Sequence, residues 1–103
     1  MKKWRKQGRQ FEGCPWVSLK QDVLQLNKEV CKWLGNRQYV EIWYELDWTY
    51  IELRFFKEPS QDRYKLSRGR VCAKALLGEI KKRKLKVVRV EIIDSNRLGI
   101  WLR

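Results

Sequence analysis

A chain of 103 residues is long enough for one packed domain, and 44% hydrophobic content separates it from a disordered basic tail. It carries 24 Lys and Arg against 12 Asp and Glu and no His. The net charge of +12 points to a polyanionic partner, and the lack of His removes the commonest catalytic base and metal ligand. No apolar run reaches the ~18 residues of a membrane-spanning helix. The basic opening MKKWRKQGRQ leads into no apolar stretch of the kind a secretory signal needs. Cys14, Cys31 and Cys72 are odd in number and widely spaced, which fits neither zinc ligation nor a disulfide framework. A reducing, cytoplasmic setting is expected, nucleoid-associated if the partner is DNA. Cys31 and Cys72 are read as small apolar core residues.

Residues 1–15 form a basic arm, expected to be flexible. Trp16-Val17-Ser18-Leu19 has the alternation of a short strand, and Leu24 and Leu26 alternate with polar neighbours. Asn27 is an N-cap for a helix over Lys28 to Leu34 that buries Val30, Cys31 and Leu34, and Gly35 stops it in a left-handed conformation. Tyr39–Glu45 and Tyr50–Phe55 are rich in β-branched and aromatic residues and make a hairpin turning at Asp47-Trp48. Residues 58–63 contain Pro59 and polar residues and read as a linker.

The order of elements then recurs. Tyr64-Lys65-Leu66 is a short strand, Val71 to Ile80 has helical spacing, Val87–Ile93 is a strand, Asp94–Arg97 a turn, and Leu98–Leu102 the return strand. Placing Lys28 over Lys74 superposes Leu26 on Cys72, Val30 on Leu76 and Leu34 on Ile80; with small insertions, Ile51 falls on Ile100. The expected fold class is α+β, mainly β. Two tandem strand–helix–strand–strand units, residues 16–57 and 64–103, form one small barrel-like core with two short helices. A ~40-residue unit cannot bury its apolar face alone, so neither unit is expected to fold without the other.

Leu26-Asn27-Lys28-Glu29-Val30-Cys31-Lys32-Trp33-Leu34-Gly35, followed by Val40-Glu41-Ile42 and Ile51-Glu52-Leu53-Arg54, resembles the hallmark of the AbrB/MazE/SpoVT family of swapped-hairpin barrels. Two such units in one chain look like the MraZ arrangement, where each unit supplies half a barrel. The resemblance implies a DNA-binding transcription regulator or an antitoxin that represses its own operon.

Charge is unevenly divided. The arm holds five basic residues and one acid, residues 16–60 hold six and seven, and residues 61–103 hold thirteen and four. The strongest local signal is Lys81-Lys82-Arg83-Lys84-Leu85-Lys86, whose clustered cations suit a phosphate backbone because they displace condensed counterions. The alternative is a solvated run complementing a helix C-terminus. Arg68-Gly69-Arg70 marks a turn where the backbone can approach phosphates or guanine edges closely, and Lys74 and Arg89 lie in the same half. Lys2, Lys3, Arg5 and Lys6 of the arm have the composition of segments that track phosphates or a minor groove. In the near-neutral half, alternation along Tyr39–Glu45 turns Trp43 outward beside Glu41 and Glu45. Trp43 and Trp48 are therefore candidates for a protein interface, with base stacking and core burial as rivals.

These residues favour a small nucleic-acid-binding protein, most of all one for duplex DNA. An RNA or single-strand-binding subunit of a nucleoprotein complex is the second reading, and an adaptor or antitoxin-like inhibitor that meets protein or a second copy through its first unit is the third. No catalytic residue, metal ligand or cofactor motif is identified, and an enzyme is not expected.

Overall fold

The computed structural model describes residues 14–20 and 22–103, so the arm residues Lys2, Lys3, Arg5 and Lys6 lie outside the described residues. Strands β1 (Val17–Lys20) and β2 (Val23–Leu26) pair antiparallel, with Val17 opposite Leu26 and Leu19 opposite Leu24 on the inner face. The outer face carries Ser18, Lys20, Val23 and Gln25, as strand alternation requires.

Helix α1 (Lys28–Leu34) starts where the side chain of Asn27 accepts the Val30 amide at 3.0 Å, and it buries Val30 and Leu34. Gly35 has φ 63° and ψ −123°, and the Arg37 amide donates to the Leu34 carbonyl. This is the first central position of a type II′ turn rather than the expected left-handed helical cap. The free carbonyls at the end of α1 are met by the Arg37 side chain, whose Nε donates to Leu34 and Nη2 to Trp33. The same guanidinium lies 4.5 Å over the Trp33 ring and bonds the Ser95 carbonyl in the other half. Its cation complements the helix dipole and ties the two halves together.

The hairpin of β3 (Tyr39–Tyr44) and β4 (Tyr50–Phe56) follows, then β5 (Tyr64–Lys65), β6 (Arg70–Cys72), helix α2 (Lys74–Lys82), β7 (Val87–Ile92) and β8 (Arg97–Leu102). Each half is thus two strands, a helix and two strands. The sequence reading missed one strand per half, β2 and β6, which are defined by their pairing with each other. Val71 and Cys72, read as the start of the second helix, belong instead to β6. Val71 and Cys72 keep helical spacing with the residues after them, but pairing with β2 is the stronger constraint.

Two sheets result, ordered β1-β2-β6 and β5-β3-β4-β8-β7. Neither closes on itself among the described residues, so the architecture is α+β and mainly β, built as two sheets with their helices. Each sheet is stitched from both halves. Leu24 faces Val71 where β2 meets β6, and Ile51 faces Ile100, its counterpart in the superposition, where β4 meets β8. The buried core draws on both halves, from Val17, Leu24, Val30 and Val40 through Leu53 and Phe55 to Val71, Leu77, Ile80, Leu98 and Ile100. No described helix is long and apolar enough to cross a membrane.

Candidate nucleic-acid interface

The basic run forms the last turn and cap of α2. After the C-cap Arg83, Lys84 adopts φ 57°, its amide donates to Lys81 and the Leu85 amide reaches back to Ile80. This is a Schellman motif with a lysine where glycine is usual, and Leu85 anchors it as a half-buried side chain packed against the core. Lys81, Lys82, Lys84 and Lys86 are all exposed and have no acidic partner among the described residues. Pairing of Lys86 with Arg103 through both backbone hydrogen bonds brings a further exposed cation to the patch. Sequence reasoning did not select Arg103; only the register of β7 on β8 reveals it.

Two other residues of the sequence-derived set are engaged elsewhere. Arg83 lies 3.5 Å from Glu79 and 5.3 Å over the Trp48 ring, so it clamps α2 to the first hairpin. Arg89 pairs with Glu91 and lies 4.8 Å over Trp101 on the outer face of the five-stranded sheet. Both remain exposed, but each is already paired with an acid.

Arg68-Gly69-Arg70 forms a two-residue turn closed by reciprocal backbone hydrogen bonds between Ser67 and Arg70. Both central residues are left-handed, with φ 51° at Arg68 and 72° at Gly69, as a type I′ turn demands. Gly69 is also sterically fixed: a Cβ there would lie 2.7 Å from the Cys31 sulfur. Arg68, Arg70 and Lys74 are exposed. Arg70 Nε donates to Gln25 Oε1 at 2.7 Å, and the Gln25 amide nitrogen donates to the carbonyls of Leu26 and Gly69.

Trp43 and Trp48 part company. Trp43 is 49% exposed, with Arg54 4.3 Å over its ring. Trp48 is 9% exposed, which corrects its assignment to a protein interface. It takes φ 62° at the hairpin tip, and this left-handed step folds its ring back to stack on Tyr44 at 4.7 Å and beneath Arg83. Strand alternation does not extend through a turn, so the sequence pattern could not place it. Trp48, Tyr44, Ile42, Tyr64, Leu76 and Glu79 line an open groove of about 580 Å³ with too little positive charge for a phosphate site.

The acids of the five-stranded sheet are neutralised locally. Arg63 bonds Glu41 at 2.9 Å and, with smaller help from Trp43, holds its carboxyl below the usual range despite some desolvation. Burial pushes the Glu52 carboxyl up, but hydrogen bonds from Arg54 at 2.6 Å and Tyr50 at 2.9 Å, with the charge of Arg97, bring it below its ordinary value. Burial and the neighbouring Glu52 push the Tyr50 hydroxyl up to about 12. The face is a mosaic of matched charges and arginine-capped rings, unlike the lysines at the C-terminal end of α2, which have no acidic partner among the described residues.

Cys72 is exposed on the outer face of β6, not in the core, because Val71 takes the inward position. Cys31 is half-buried under Gly69, and burial pushes its thiol up, which suits packing rather than nucleophilic attack. No cluster of metal-binding side chains occurs among the described residues. No family model, curated protein or solved structure matches the chain.

Proposed function

We propose that this is a small nucleic-acid-binding protein that grips duplex DNA through the cationic end of α2. The observation that carries the reading is the exposed group Lys81, Lys82, Lys84 and Lys86, which has no acidic partner among the described residues while the acids of the neighbouring sheet are matched to arginines. Unpaired clustered cations cost stability through mutual repulsion and gain most where condensed counterions are released. Arg103 extends the patch. A DNA-binding regulator of the AbrB-like tandem type is the specific form this reading takes.

Fluorescence anisotropy with a 20-bp DNA duplex, the matching single strand and an RNA duplex tests it. Four phosphate contacts give a salt slope of about −3.6, or roughly a 150-fold loss of affinity between 50 and 200 mM salt. Alanine at Lys81, Lys82, Lys84 and Lys86 together should remove that slope. Unchanged affinity and slope would reduce the run to a solvated surface. Tighter binding to the single strand or to RNA would move the protein to the second class. Trp43 supports a separate protein contact, because its ring is 49% exposed on the outer face of β3. Trp43→Ser should then abolish self-association or partner binding without changing DNA affinity.

A further inference from the structure

We infer that the Arg68–Gly69–Arg70 turn, buttressed by Gln25, reads guanine edges in the major groove of duplex DNA. This rests on the nucleic-acid reading above but concerns sequence discrimination, which the lysine patch does not supply, since phosphate contacts carry no base information. The first support is the way Arg70 is held. Its Nε is committed to Gln25 Oε1, and the Gln25 amide is itself fixed on the carbonyls of Leu26 and Gly69. The guanidinium therefore leaves the sheet in a set direction, its two terminal nitrogens without a partner among the described residues. That is the fork needed to meet guanine O6 and N7 together.

The second support is Arg68. A long side chain in a left-handed residue is strained, and Asn or Gly would fill the position at lower energy. Arg68 makes no ion pair among the described residues. The strain therefore displays a free guanidinium at the tip of a rigid turn and supports no internal contact.

The third support is the setting. The outer face of the three-stranded sheet presents Ser18, Lys20, Val23, Gln25, Arg70 and Cys72, with Asp22 the acid of the β1–β2 turn. The B-DNA major groove, ~12 Å wide, admits a two-stranded β-ribbon, and β2 with β6 is such a ribbon, carrying Gln25 opposite Arg70. The deep, narrow major groove of an RNA duplex would not admit it.

The test begins with the full chain and a pool of 20-bp DNA duplexes randomised at their centre. Bound duplexes are sequenced, and the enriched sequence is remade with 7-deazaguanine, which keeps base pairing but lacks the N7 acceptor. Enrichment of a G-containing site, and about a tenfold loss at one substituted guanine, is expected for a single bidentate contact. R70K retains the charge but loses the fork, so the affinity ratio of enriched to scrambled duplex should fall by a similar factor. Q25A should give a smaller fall. The deazaguanine measurement needs no variant, so a poorly folded R70K leaves the test intact. Equal binding to all duplexes, or a preference untouched by 7-deazaguanine, overturns this inference while the nucleic-acid reading stands. Absence of binding to any nucleic acid overturns both.

Discussion

Lys84 joins the local backbone and the cationic patch in one residue, and its replacement should move two measurements in opposite directions. A non-glycine residue in the left-handed region costs about 1–2 kcal/mol. Glycine relieves this but returns about 0.5–1 kcal/mol through the greater freedom of its unfolded chain. With φ 57° at the C′ position of a fully bonded Schellman motif, Lys84→Gly should therefore stabilise the fold by about 0.5–1 kcal/mol. For a domain of this size that is roughly 3–6 °C in Tm. Lys84→Ala removes the same charge and keeps the strain, so the difference between the two variants isolates the backbone contribution. Both should flatten the salt slope of duplex binding by about 0.9, the value of one phosphate contact. Thermal melts by circular dichroism and anisotropy titrations at four salt concentrations give both quantities. A glycine variant that melts no higher than the alanine variant would refute the capping argument. Wild-type slopes in both variants would refute the phosphate contact.

Gly69→Ala should cost about 2–3 kcal/mol in chemical denaturation, from a left-handed φ and a Cβ 2.7 Å from the Cys31 sulfur. Cys31→Ala in that background should recover part of the loss, and no recovery would mean the backbone angle alone is responsible. Glu52 has its folded pKa held below the ordinary 4.5, so its pairing stabilises above that pH and is lost as pH falls through the lower folded value. Glu52→Gln should then cost about 1–3 kcal/mol at pH 7, with the gap to wild type closing progressively below pH 4.5; a constant gap would contradict the pairing. Trp48→Ala should cost about 3 kcal/mol as a buried ring, whereas Trp43→Ala should cost less than about 1 kcal/mol; equal losses would show that Trp43 is also part of the packing.

Local chemistry made several elements legible from sequence. Asn27 and Val30 set the start of α1 within one turn of chain, and the spacing of the buried Val30 and Leu34 is equally local. The β3–β4 and β7–β8 hairpins were equally plain, since long β-branched and aromatic runs bounded by short turns admit few alternatives. The charge run beyond α2 was visible because exposure needs no partner to be deduced from composition. Short strands were not. Val71 and Cys72 fit a helix as well as a strand until β2 is laid beside them, so tertiary pairing chose between the two.

The sequence by itself determined the mixed, mainly β class, the α1 boundaries, the two long hairpins and the excess of cations at residues 81–86. These follow from periodicities and caps that act over a few residues. The tertiary structure decided which cations remain free, because ion pairs such as Arg63–Glu41 and Arg97–Glu52 join residues far apart in the chain. It also turned Trp48 inward, fixed Arg70 on Gln25 and brought Arg103 beside Lys86. Each of these depends on strand register and on backbone angles at single turn residues. A shift of one residue in register would exchange the inner and outer faces of a strand, and no local pattern records that choice.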